Sequence, residues 1–468
     1  MTNVLFRLEQ ASIIRSGGEP LFRDLTWTMR DGETWAVVGP NGSGKSTLAE
    51  MLAGKHRLAA GSLTWPLFAT SGDEAHSVVR LVPFRENSRL FSPADYYYQQ
   101  RFDFGDPPDC PTVSEYLRAT RPVTDADLET TTTRLGIATL LDQKLLTLST
   151  GQMRRTRLAR AVLTHPKLLI LDDPFCGLDV AGRLELDRTL ADLAASGTRL
   201  ILVLGEAVPS WVTNILVLPR NVPEALATEY SIPKNPSLTL PARADSAIEM
   251  CNVTLRHGGK LILDGVNWSV GVGERWALIG PNGSGKTTLL SLICGDHPAA
   301  YANHVRLFGK QRGDGETIWD VKRQIGLLSP ELHQYFTTPL SAFEVATTGW
   351  HDVMTRRPIT AEQADEVRRL FATFGLQNKM NTPFARLSTG IQRLVLFVRA
   401  VVKRPPLLIL DEPFQALDTF TINCLREWID NSLQPEQTLI MVTHRPTELP
   451  TCVTRRLQLA NGRVVLSC

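Results

Sequence analysis

Two near-identical phrases carry the chemistry: GPNGSGKST from Gly39 to Thr47 and GPNGSGKTT from Gly280 to Thr288. Each fits G-x-x-x-x-G-K-[ST], the phosphate-gripping P-loop. Glycines let the backbone fold close enough for its N–H groups to cradle phosphate oxygens at a helix start, where the dipole also favours an anion. The candidate nucleotide ligands are Gly39, Pro40, Asn41, Gly42, Ser43, Gly44, Lys45, Ser46 and Thr47 in the first copy. In the second they are Gly280, Pro281, Asn282, Gly283, Ser284, Gly285, Lys286, Thr287 and Thr288. Lys45 and Lys286 are expected to reach the outer phosphates, and the Ser46 and Thr287 hydroxyls to meet Mg²⁺.

These loops need a strand before them and a helix after. The apolar runs Thr34 to Val38 and Arg275 to Ile279 read as buried strands that deliver them. Two more phrases recur downstream, LSTGQ (Leu148 to Gln152) with LSTGI (Leu387 to Ile391), and LLILDDPFCGLD (Leu168 to Asp179) with LLILDEPFQALD (Leu407 to Asp418). The offset is 241 residues between Lys45 and Lys286 and 239 between Asp172 and Asp411, so the halves are a duplication in register. Strands such as LLILD and LIMVTH alternate with helical stretches such as 183–195, which calls for a mostly parallel sheet flanked by helices. Helical patterns between P-loop and LSTG, such as 361–374, suggest a separate helical lobe in each half. The proline-rich, polar stretch 219–247 reads as a linker between domains at 1–218 and 248–468.

Acidic and basic residues nearly balance at net +2, which gives no support for a polyanion-binding tail. No apolar run approaches the 18 or so residues of a membrane-spanning helix, and the opening MTNVLFRLEQ lacks a secretory pattern. The expected location is cytoplasmic, in solution or peripheral at a membrane. Seven cysteines without a C-x-x-C pair fit reduced thiols better than disulfides or a zinc site.

P-loop, LSTG and LLILD[DE]P in this order resemble the ATP-binding cassette (ABC) family over nearly the whole chain. The stretch Gly295 to Gly326 looks more narrowly like the tandem-cassette proteins associated with bacterial molybdate transport, the ModF type. The resemblance implies an α/β fold of two tandem P-loop NTPase cassettes, each with a mainly parallel sheet core and a helical signature lobe. It implies that the halves pair head to tail, each ATP lying between one P-loop and the other half's signature. The signature ligands are then Ser149, Gly151 and Gln152, and Ser388 and Gly390. By itself LSTG would read as a helix N-cap.

The same resemblance gives Asp172 and Asp411 the holding of Mg²⁺ through water, beside Ser46 and Thr287. Glu412 orients the attacking water and His444 contacts the γ-phosphate, so Glu412, His444 and Lys286 are the expected catalytic set. The first half has Asp173, one methylene shorter, and Gly205 at these positions. A shortfall near 1 Å can cost on the order of 100-fold in rate. LSTGI is the altered signature, and under head-to-tail pairing all three departures fall in one site. One site would hydrolyse and the other would hold ATP.

Two family elements depart from pattern. Phe84 and Pro330 stand where the Q-loop glutamines belong, with Gln99 and Gln334 farther on. Arg15 and His257 fall where an aromatic stacks on adenine and are either base-stacking or plain surface residues. Tyr96 to Tyr98 are either a docking face or buried packing. The expectation is the ATPase subunit of a transporter, molybdate-type in cargo, with a separate transmembrane permease; the alternative is a soluble ATPase acting on a macromolecule such as the ribosome.

Overall fold

The computed structural model describes residues 4–14, 20–71, 78–83, 110–119, 122–148, 150–205, 207–219, 245–257, 260–336 and 338–468. They form two compact units, with described residues within 4–219 and 245–468. No described helix is long and apolar enough to cross a membrane.

In the first unit a parallel sheet runs in the order Val79–Val82, Leu168–Asp172, Arg199–Val203, Trp35–Val38, Asn214–Val217. Its central strands read as continuous apolar runs because both faces are covered; Leu168, Leu169 and Ile170 are fully buried. The second unit repeats this as Ile325–Leu328, Leu407–Asp411, Thr438–Val442, Arg275–Ile279, Arg455–Ala460, and adds the antiparallel edge strand Arg463–Ser467. Each parallel sheet therefore places a P-loop strand beside the strand after the one ending in aspartate.

Each unit also has an antiparallel sheet that the repeat phrases do not announce. It is Pro20–Arg30, Val4–Ile14, Ala60–Thr64 in the first unit and Lys260–Gly271, Ser246–His257, His304–Leu307, Lys310–Gln311 in the second. Bulges interrupt the alternation of these strands, which hides their period of two in the sequence. Ser246 and Ala247, assigned above to the linker, are the first residues of a strand; Ala247 is fully buried, so its methyl belongs to the second core.

The helical lobe of the second unit contains the helices Ala342–Thr347, Ala361–Thr373 and Thr389–Val401. The Ala361–Thr373 helix starts where the text TAEQ says it should: Gln363 N donates to Thr360 Oγ1 and Thr360 N donates to Gln363 Oε1. Phe397 on the third helix packs edge-on against Phe374 and Trp428, at 5.6 and 5.3 Å between ring centroids. That aromatic cluster seats the helix carrying the second signature on the core. In the first unit the matching region has the helices Val113–Arg118, Asp125–Arg134 and Thr150–Val162.

Candidate functional site

Both P-loops fold as strand, glycine-rich loop, helix. Gly280 has φ 157°, and a Cβ there would sit 2.4 Å from Leu459 O and 2.7 Å from Ser284 Oγ. Gly285, at φ 102°, is the N-cap of the helix Lys286–Cys294. Only glycine combines that backbone with that close approach. Ser43 and Ser284 Oγ atoms are buried and accept or donate no hydrogen bond among the described residues. Unsatisfied hydroxyls inside a cradle of N–H groups suit an anion with several acceptor oxygens. Lys286 Nζ donates to Gly280 O (2.7 Å) and Pro281 O (2.9 Å), and Lys45 Nζ to Gly39 O (2.5 Å) and Pro40 O (3.1 Å). Each lysine is thus folded back along its own loop.

At the end of Leu407–Asp411 two carboxylates follow each other. Burial raises the Asp411 carboxyl well above the usual range, and the nearby Glu331 and Glu412 carboxylates raise it further against the pull of Arg393 and Lys286. Burial pushes Glu412 up to about 7, opposed by Lys286 and Arg393. Glu412 has φ 49°, an uncommon left-handed conformation for a residue with a side chain. Its N–H donates to Val442 O at 2.9 Å. From below, Arg393, 1% exposed, donates from Nη2 to Asp411 O and Glu412 O, both at 2.6 Å, and from Nη1 to Ser329 O at 3.0 Å. One guanidinium from the signature helix therefore fixes the strand end and the turn after Ile325–Leu328.

The first unit builds the same turn with different side chains. Asp173 has φ 50°, its N–H donates to Val203 O at 2.9 Å, and Arg154 donates to its carbonyl. Asp172 is raised to about 6 by burial, held down in part by a hydrogen bond with Ser46. A carboxylate joined to the first hydroxyl of the P-loop helix is a hard-oxygen pair of the kind Mg²⁺ takes. The sequence reading missed Arg154 and Arg393, although they sit at the same 239-residue offset as the aspartates.

His444 follows the strand Thr438–Val442, and its Nε2 lies 3.3 Å from Glu412 Oε1. Gly205 occupies the corresponding place after Arg199–Val203, and a Cβ built there meets nothing within 4 Å. The glycine is not demanded by crowding.

Ser388 is the N-cap of Thr389–Val401, yet its side chain makes no capping bond and its buried Oγ has no hydrogen-bond partner among the described residues. Gly390, two residues on, is buried. In the first unit Gly151 and Gln152 begin the helix Thr150–Val162, with Gly151 against Leu178; Ser149 lies outside the described residues. Pro330 opens the short helix Pro330–Tyr335 under a Ser329 cap, and Glu331 beside it is the neighbour of Asp411 that spacing alone did not reveal. Phe84, Gln99, Tyr96 to Tyr98 and Arg15 lie outside the described residues, as do the side chains of His257 and Gln334.

Known proteins show the same arrangement of sequence. The family model described as ABC transporter matches residues 22–176 and 263–415. The ABC transporter ATP-binding protein ModF of Escherichia coli (strain K12) is 36% identical, over 92% of this chain and 92% of its own. An uncharacterized ABC transporter ATP-binding protein of Schizosaccharomyces pombe, C323.04, is 30% identical over 96% of each chain. The solved structure of cbiO1 from Clostridium perfringens, described as part of the ABC transporter complex cbiONQ, is 22% identical. It covers 46% of this chain and 85% of that one, with a TM-score of 0.38.

Proposed function

The chain belongs to the ABC transporter family as an ATP-binding protein and ATPase with two cassettes, and on that premise we propose that it drives a transporter with one hydrolytic and one ATP-holding cassette. The observation that carries this reading is the Glu412–His444 pair of the second unit, 3.3 Å apart, against Asp173 and Gly205 in the first.

In the second unit, burial supplies Glu412 with a proton affinity near neutrality, suited to accepting a proton from water. The left-handed turn and Arg393 hold its backbone, so the carboxylate is aimed before nucleotide arrives. Lys286 is positioned to exchange its loop carbonyls for phosphate oxygens, keeping its donors occupied throughout. His444, within ion-pair distance of a Glu412 Oε1 that accepts no hydrogen bond among the described residues, would present its ring to the outer phosphate. Mg²⁺, held by Thr287 and Asp411 and in the first unit by Ser46 and Asp172, would supply charge neutralisation to the phosphates. In the first unit, Lys45 and the loop N–H groups retain the means to bind ATP, while Asp173 is shorter and Gly205 has no side chain.

The transporter reading requires a separate membrane-spanning partner, with the chain cytoplasmic or peripheral at the membrane. A molybdate-type cargo rests on the resemblance of 295–326. The cassette limits we propose are 1–218 and, moved to take in Ser246 and Ala247, 246–468. The test is to trap the ATP-bound form with Glu412→Gln, purify it in mild detergent and identify what accompanies it. An integral membrane protein is expected; ribosomes in its place would overturn the transport reading.

A further inference from the structure

In the antiparallel sheet of the second unit, Ser246–His257 pairs with His304–Leu307 without a register shift, Cys251 opposite His304 and Glu249 opposite Arg306. Successive side chains alternate between faces. Ile248, Met250, Val305 and Leu307 take the core side, at 2% exposure or less. Glu249, Cys251 and His304 therefore share the outer face, and one ligand atom from each, the Cys251 thiol among them, lies within 4.8 Å of the other two. Backbone flanks are pinned: Thr254 N donates to Asn303 Oδ1 (3.0 Å), Asn303 Nδ2 to Ala299 O (2.9 Å) and Asn252 N to Asn267 Oδ1 (2.9 Å).

We propose that Glu249, Cys251 and His304 form a binding site for a zinc-type divalent cation, with water in the fourth position. The donor set decides the class: thiolate and imidazole favour borderline-soft ions, whereas Mg²⁺ and Ca²⁺ take oxygen ligands. With zinc bonds of about 2.0–2.3 Å, the donors of a tetrahedral site stand roughly 3.3–3.7 Å apart. Closing from within 4.8 Å asks for side-chain rotation of about 1 Å, and the paired backbone need not move. On binding, the Cys251 S–H bond breaks, its proton goes to solvent and the sulfur electron pair goes to the metal. Three protein ligands leave an open position, which makes the site exchangeable and distinct from a closed structural one.

Arg306 is the competitor, with its guanidinium 3.5 Å from the Glu249 carboxylate and both side chains part-exposed. Its loss should strengthen metal binding. None of the three ligands belongs to the nucleotide site, and sequence spacing conceals them because two lie on one strand and one on another far along the chain. Bound metal would staple those strands together.

The test uses the tag-free, reduced, chelator-treated full chain without nucleotide or Mg²⁺, titrated with Co²⁺. One equivalent should give thiolate-to-metal charge-transfer absorption, which Zn²⁺ then abolishes. Cys251→Ser should remove the band, His304→Ala and Glu249→Gln should each weaken binding by roughly tenfold or more, and Arg306→Ala should tighten it. No band in the wild-type chain, or one unchanged in Cys251→Ser, overturns the proposal. An independent readout is alkylation, followed peptide by peptide: Zn²⁺ should slow it at Cys251 but not at Cys468, which is also exposed. Equal rates at Cys251 with and without Zn²⁺ would contradict the assignment.

Discussion

The Nε2 atom of His444 stands 3.3 Å from Oε1 of Glu412, at the ends of adjacent parallel strands. The pairing of Asp411 with Val442 puts both residues one or two positions past the same rung of the sheet. The first unit keeps that rung, Asp172 with Val203, but follows it with Asp173 and Gly205. The difference between the units is one of side chains on a repeated backbone.

That backbone makes the first unit repairable. Asp173 and Glu412 share the same left-handed φ, and the space at Gly205 is open. Asp173→Glu with Gly205→His, made in a Glu412→Gln background, should raise ATP turnover by roughly tenfold or more above that background. Steady-state phosphate release measures it.

Gly280→Ala should abolish ATP binding by the second P-loop and cost about 1–3 kcal/mol, because the methyl would meet the Leu459 carbonyl. Gly205→Ala, by contrast, should change stability by less than about 0.5 kcal/mol. Nucleotide-binding stoichiometry and thermal unfolding compare them.

Arg393→Met removes three hydrogen bonds from a buried guanidinium, while Ser329 O keeps its bond from His333 N (3.2 Å) and Glu412 O its bond from Gln415 N (3.1 Å). Hydrogen bonds from a charged donor are worth about 1.5–3 kcal/mol each, so a fall in the unfolding midpoint is expected. Turnover of the surviving folded protein should fall as well, with ATP affinity nearly kept, because the residue orients Glu412 and is not placed to touch nucleotide.

Glu412 is held up to about 7, so below that pH it is protonated and poorly able to take a proton from water. The kcat/KM for ATP should rise with pH and level off above about 7. A carboxyl raised on folding adds stability that is fully present below its ordinary value, near 4.5, and lost as pH rises through about 7. Glu412→Gln should therefore gain thermal stability over wild type at ~pH 8 and show little gain at ~pH 4. Calorimetry at the two pH values tests the sign.

Much of this was legible in the sequence because the repeat places like residues at one offset. P-loops, strand aspartates, Glu412 and His444 all lie on fixed strand ends, where a residue's number determines its position. Arg154 and Arg393 escaped notice because a buried arginine binding carbonyls looks, in sequence, like any charged residue on a helix. Glu331 was hidden for a different reason: the expected glutamine was absent, and only the turn after Leu328 brings the next residue to Asp411. The antiparallel sheets were obscured by bulges, and the cluster of Glu249, Cys251 and His304 by strand pairing.

The central claim is that hydrolysis belongs to the residues around Lys286. Its most direct test is single-turnover and steady-state ATP hydrolysis by Glu412→Gln and by Asp173→Asn, each with its nucleotide stoichiometry measured. Glu412→Gln should lose turnover while retaining bound ATP, and Asp173→Asn should keep most of it. Loss of hydrolysis in Asp173→Asn with activity preserved in Glu412→Gln would contradict the account.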